Sequence, residues 1–243
     1  MDNNKNIKKS FARIYGSAGD ALIIIGILKA YWPLLLICFI LGYVARALFR
    51  FPDFSISQIG IILVSSAIFC SFLLLIGDKR LKNYLKGAKG EEWVVKELSY
   101  LNADYAVFND LRLPHSKSNF DHIIIGSTGI YIIETKNWSG HINFTSEGVF
   151  FDNKLIKVSP IKQIKEQEKD LIDFLNEQDC KTISVKSLLC FIDSTLDKPV
   201  MNINGVIICS GDMLINIITD ELNNRIDDKV RVEAEEVIKK LLV

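Results

Sequence analysis

Residues 54–77, between Asp53 and Asp78, carry no charged side chain. As a helix these 24 residues extend about 36 Å, more than the roughly 30 Å of a bilayer's hydrocarbon core. A soluble core helix of that length shows a polar face, whereas this stretch has only scattered serines and one glutamine. A second apolar stretch, 21–47, precedes it. Lys29 interrupts it, Pro33 lies inside it, and Tyr31 and Trp32 suit a membrane interface. It reads as one helix or a kinked pair, with Lys29 snorkelling or the segment before it lying among the headgroups. A signal peptide ending near Ala45-Arg46-Ala47 is the competing reading, although the approach to its apolar region is long.

Lys and Arg in the short flanks give the orientation. Lys5, Lys8, Lys9 and Arg13 precede the first span, only Arg46 and Arg50 lie between the spans, and Lys79, Arg80, Lys82, Lys86 and Lys89 follow the second. Both ends are therefore expected in the cytoplasm, as an integral protein of the cytoplasmic membrane. The expected organisation is a cytoplasmic tail over 1–20, a two-helix anchor over 21–77, a basic juxtamembrane linker over 78–86 facing anionic headgroups, and a soluble domain over 87–243. Two spans with one lysine offer little pathway for a channel or transporter.

The chain has 29 basic and 29 acidic residues, of which seven and three fall in 1–77, leaving 22 basic and 26 acidic beyond. The soluble part is thus slightly acidic, which counts against tight nonspecific nucleic-acid binding without excluding a local basic groove. Cys38, Cys70, Cys180, Cys190 and Cys209 form no CxxC and fit buried free thiols. His115, His122 and His141 lack partners at zinc-ligand spacing. Gly87 and Gly90 do not make a phosphate-binding loop, because glutamate rather than Lys-Ser/Thr follows the second glycine.

The soluble part alternates helical and strand patterns, predicting a single α/β domain. A helix is expected over 87–101 and a strand over 105–109, with a polar loop over 111–119. Two β-rich runs, 120–125 and 130–135, flank Gly126-Ser127-Thr128-Gly129, a hairpin signal. Short strands follow at 141–144, 149–152 and 155–158. Pro160 opens a helix to about 178 with Ile164, Leu171, Phe174 and Leu175 as its apolar stripe. Strands at 187–192 and 205–209 precede helices near 213–222 and 230–242.

The hairpin carries the chemistry. A two-residue turn at Ser127-Thr128 pairs Gly126 with Gly129 and, counting outward, Asp121 with Glu134. Lys136, two residues on, shares their side of the sheet with Ile123, Ile125, Ile130 and Ile132. Carboxylates placed opposite each other repel. A divalent cation offsets that repulsion, and hard oxygen ligands suit Mg²⁺, or Mn²⁺, which retains waters for a substrate phosphate. Lys136 would then orient or deprotonate the attacking water, or stabilise charge building on phosphorus. The alternative is a strand-end ion pair between Lys136 and the acids, and geometry alone leaves both open.

Asp121 followed by Glu134-Thr135-Lys136 at a strand end resembles the D…ExK signature of restriction-endonuclease-like nucleases. The wider order is Gly87-Ala88-Lys89-Gly90-Glu91, Asn119-Phe120-Asp121-His122, then Gly129 through Asn137 and Trp138-Ser139-Gly140. Together these resemble the NERD (nuclease-related) domain over roughly 87–200. The resemblance implies a restriction-endonuclease-like mixed sheet and a Mg²⁺- or Mn²⁺-dependent nuclease of the PD-(D/E)xK type. It makes Asp121, Glu134, Lys136 and Gln163 the catalytic set, with Glu91 joining Asp121 and Glu134 as a metal ligand. Glu91 also reads as a first-turn acid complementing the helix dipole, and Gln163 as a solvent-exposed residue of a lysine-rich helix. Trp138 is expected to pack beside the site rather than stack on a base. The expected partners are nucleic acid, DNA above RNA, and the membrane; the alternative is a catalytically silent module that binds nucleic acid or protein there.

Overall fold

A computed structural model describes residues 11–50, 55–114, 116, 119–145, 148–180, 184–220 and 225–242. His115, Lys5, Lys8 and Lys9 lie outside the described residues. The chain divides into two compact units: Asp20–Ala88, and Met1–Gly19 together with Lys89–Val243.

The first unit is helical. Helix α1 runs Asp20–Arg50, unbroken through Pro33, and α2 begins at Ile56. By length and composition alone, both are apolar enough to cross a membrane, and the rest of the described chain covers little of either. They approach closely through small residues. A Cβ on Gly26 would lie 2.6 Å from Tyr84 Cβ, and one on Gly77 3.0 Å from the Ala30 carbonyl oxygen. The Tyr31 hydroxyl donates to Asp78 (2.7 Å), and the Lys29 ammonium stands 5.9 Å from the Tyr84 ring centroid. The lysine that interrupts the first apolar stretch therefore faces the charged segment after Gly77, not the uncharged run before it. The linker expected over 78–86 is itself helical: α2 continues to Leu98, because no proline stops it.

The second unit is a mixed α/β domain around one sheet. Its strands are β1 (Arg13–Tyr15), β2 (Ala106–Arg112), β3 (Asn119–Gly126), β4 (Gly129–Thr145), β5 (Gly148–Phe151), β6 (Lys154–Leu155), β7 (Val185–Leu196), β8 (Val200–Ile203) and β9 (Val206–Ser210). The order is β1-β2-β3-β4-β7-β9-β8, with β5 and β6 added to the far part of β4. β4, β7 and β9 run parallel, and β2, β3 and β4 antiparallel. One face packs Ile123, Ile125, Ile130, Ile132 and Leu189 against α3 (Pro160–Glu177) and α5 (Asp228–Lys239). The other packs Ile124, Tyr131, Ile133 and Leu188 against Val94 and Leu98 of α2 and against α4 (Leu214–Thr219). Alternation along isoleucine-rich strands supplies both faces, as a sheet covered on two sides requires.

Two expectations are redrawn. The strand expected separately at 141–144 is the continuation of β4 past an irregularity between Asn137 and Gly140. Residues 11–19 do not form a tail apart: β1 pairs in parallel with β2, Arg13 opposite Ala106 and Tyr15 opposite Phe108. Cleavage at Ala45-Arg46-Ala47 would remove this strand from the sheet, which counts against the signal-peptide reading.

Candidate active site

The β3–β4 hairpin has the register that counting gives: Gly126 opposite Gly129, Ile125 opposite Ile130, and so on to His122 opposite Ile133. Gly129 sits at φ +142, a conformation that suits glycine. One step beyond the ladder, Asp121 and Glu134 come together. The Thr135 amide donates to Asp121 Oδ2 (2.8 Å), so a side chain rather than a backbone carbonyl satisfies that strand. On β2 the opposing ladder skips Asp110, which adopts φ +49 between Asn109 and Leu111.

Glu134 is 2% exposed, and both its carboxylate oxygens accept hydrogen bonds. The Lys136 ammonium donates to Oε1, as does Gln163 Nε2 (2.6 Å), and Lys136 also reaches Gln163 Oε1 at 3.4 Å. Gln167 Nε2 donates to Oε2 (2.9 Å) and to the Asn119 carbonyl (2.9 Å). Both glutamines come from α3. Ser159 caps that helix by accepting from the Lys162 amide, and Pro160 opens it. Spaced four residues apart, the two amides lie one above the other over the carboxylate.

Glu91 approaches from α2. A Cβ on Gly90 would lie 2.6 Å from Asn137 Cβ, so glycine at 90 lets the helix meet the end of β4. Burial, then the charges of Asp110 and Glu134, push the Glu91 carboxyl up to about 7, while the Gly19 amide and Lys136 oppose the rise. Burial, Glu134 and Glu91 likewise hold the Asp121 carboxyl well above the usual range, against Lys136 and the Thr135 amide. The acids thus burden one another electrostatically, the condition a bound cation relieves. Among the described residues, no three His, Cys, Asp or Glu side chains are grouped so as to hold an ion by themselves. That donor set does not suit zinc, which takes three or four protein ligands. It fits Mg²⁺, which is bound through one or two carboxylates and keeps its waters.

Of the residues picked out in the sequence, the structure brings Asp121, Glu134, Lys136 and Gln163 together. It sets Glu91 within electrostatic reach without closing a three-acid cluster. His122 stands apart: its Nδ1 meets Asn109 Oδ1 at 2.9 Å, and burial pushes its pKa down to about 3, leaving it neutral. His141 pairs with Asp197 at 3.1 Å. Trp138 packs edge-on against Phe151 and Phe191. Cys180, Cys190 and Cys209 are buried and free. Gln167, Asp110 and Gly19 were not singled out. For Gln167 the signal was present, as a glutamine four residues after Gln163 on the apolar face between Ile164 and Leu171.

Residues 86–192 match the family model of the nuclease-related domain, NERD. No curated protein and no solved structure matches the chain.

Proposed function

With a nuclease-related domain at residues 86–192 as the premise, we propose that this protein is a membrane-anchored, Mg²⁺- or Mn²⁺-dependent nuclease of restriction-endonuclease-like fold that hydrolyses phosphodiester bonds in DNA. The observation that carries this reading is the convergence of Asp121, Glu134 and Lys136 at the mouth of one hairpin, with Gln163 closing over them.

Asp121 and Glu134 would hold the metal, with Glu91 as the outer acid. Such an ion polarises the phosphoryl oxygen and lowers the pKa of bound water. Asp121 keeps Oδ2 on the Thr135 amide, which fixes the carboxylate and leaves Oδ1 for a ligand. Gln163 and Gln167 hold Glu134 by neutral donors, one at each oxygen, so its charge remains available. Lys136, released from Glu134, would reach toward the attacking water or the phosphate. Gln163 Oε1, already within 3.4 Å of the ammonium, would steady it there. The side chains of Thr135 and Asn137 alternate to the opposite side of β4.

Anchoring rests on the two apolar helices. Because β1 pairs with β2, two crossings must return the chain to the side it left. The sheet pairing therefore requires both flanks on one side, and the Lys/Arg distribution makes that side the cytoplasm.

A second reading is a catalytically silent module that binds nucleic acid or protein at the membrane. It is favoured by the closed network around Glu134, whose oxygens already accept from Lys136, Gln163 and Gln167, and by the slight acidity of the soluble part. Thermal unfolding of the full chain with Mn²⁺ separates the two. A nuclease site binding Mn²⁺ at a hundredfold its Kd gains about 2.7 kcal/mol, a rise of roughly 5–10 °C, and Glu134→Gln abolishes the rise. An unchanged melting temperature, with nucleic-acid binding retained, supports the silent module.

A further inference from the structure

The segment joining the β5–β6 hairpin to the site carries positive charge in an otherwise acidic domain. Between Asp152 and Glu166 there is no acid, and Lys154, Lys157, Lys162 and Lys165 all fall there. The hairpin is held firmly. Asp152 and Asn153 form its two-residue turn, both at positive φ (+44 and +63), as such turns require. The Asp152 amide donates to the His141 carbonyl and the His141 amide to Asp152 Oδ1, each at 2.9 Å. The Ile156 amide continues the pairing onto the Val149 carbonyl (2.9 Å). From there the chain runs to Ser159, the cap of α3, and four residues later to Gln163, whose Nε2 donates to Glu134. The lysines differ in what they meet. Lys165 is held by Glu168 at 2.8 Å, whereas the Lys162 side chain is 80% exposed and has only Glu166, at 3.8 Å. Lys154 and Lys157 are exposed, with no acidic partner among the described residues.

We propose that Lys154, Lys157 and Lys162 form a track that binds the phosphate backbone of DNA and leads it to the hairpin mouth at Gln163 and Glu134. The identity of the polyanion rests on the nuclease reading. Each ammonium neutralises a phosphate and releases its counterions whatever the base sequence, and the fixed turn and helix cap hold the track's backbone in place before DNA arrives, which lowers the cost of binding. Leu155 and Val158 also stand exposed among these lysines, at 56% and 75%, so an anionic bilayer is the rival occupant. The continuity of the segment with Gln163 favours the nucleic acid.

The test is fluorescence anisotropy of labelled DNA, duplex and single-stranded, with the full chain in neutral-lipid nanodiscs and Ca²⁺ in place of Mg²⁺, so that binding is read without turnover. Lys154→Gln, Lys157→Gln and Lys162→Gln combined should raise Kd at least ~10-fold at low salt and lower the slope of log K against log salt by about 2–3. Lys229→Gln, at an exposed position on α5, should change neither. Equal Kd and slope in the wild type and the triple variant, or no DNA binding by the wild type, overturns the inference. So does amide exchange over 154–158 that anionic lipid slows and DNA does not. Cleavage is scored separately. A triple variant that cuts DNA with unchanged KM removes the track and leaves the nuclease, while a chain that binds DNA through these lysines and cuts nothing leaves the track and removes the nuclease.

Discussion

Gln167 carries more of the site's architecture than its residue type suggests. Its single amide nitrogen joins the Asn119 carbonyl on β3 to Glu134 on β4, at 2.9 Å each, and the residue is fully buried. Since both partners are acceptors, nitrogen and oxygen cannot be exchanged, and Oε1 has no hydrogen-bond partner among the described residues. Gln167→Met keeps the volume and removes both donations, leaving a buried carbonyl and a buried carboxylate oxygen unmet. A loss of about 1–3 kcal/mol should appear in denaturant unfolding, and Gln163→Met, at a half-exposed position, should lose less. His122 makes a pH-dependent contribution of its own. Its folded pKa of about 3 lies below the ordinary 6.5, so the unfolded chain binds the proton more readily. Its contribution is complete above pH 6.5 and is lost as pH falls toward 3. His122→Gln should flatten that acid limb, read as the difference from wild type at each pH.

At the scale of elements, α2 brings Glu91 toward the end of β4, and β1 closes one edge of the sheet. Gly90→Ala would force a methyl to within 2.6 Å of Asn137 Cβ, and overpacking of this kind costs about 1–3 kcal/mol. Equilibrium unfolding measures it, and Glu91 should be displaced with the helix. Arg13→Ala leaves the buried Glu235 with Lys239 alone, at 2.9 Å; a charged hydrogen-bonded pair of this sort is worth about 1.5–3 kcal/mol. Here the legibility of the sequence divides. The hairpin could be read because its register is local: four turn residues dictate which side chains oppose, and Asp121, Glu134 and Lys136 follow by counting. Helix α3 was equally plain from Pro160 and its apolar stripe. β1 was not, since three residues, Arg-Ile-Tyr, carry no periodicity, and their partner strand lies some 90 residues away beyond two helices. β8 escaped for a similar reason, being four residues at the sheet's edge. Asp110 interrupts the β2–β3 ladder through a backbone conformation at positive φ that composition does not reveal.

For the whole molecule, the consequence is topological. A sheet that begins before α1 and resumes after α2 must be assembled on one side of whatever those helices cross. Single cysteines introduced at the exposed Ser17 and Asn176 should react with an impermeant maleimide from the same face of sealed vesicles. Labelling from opposite faces would contradict the pairing of β1 with β2. On the proposed reading, the same arrangement would hold hydrolytic activity at the membrane surface.

Cleavage is the most direct measure of the central claim. The purified full-length chain should cut single-stranded, double-stranded or branched DNA in Mg²⁺ or Mn²⁺ and stop in chelator, with Asp121→Asn and Lys136→Ala each reducing the rate by about 10²-fold or more. Cleavage that persists undiminished in both variants would contradict the assignment of the hairpin's acids and lysine as the catalytic centre.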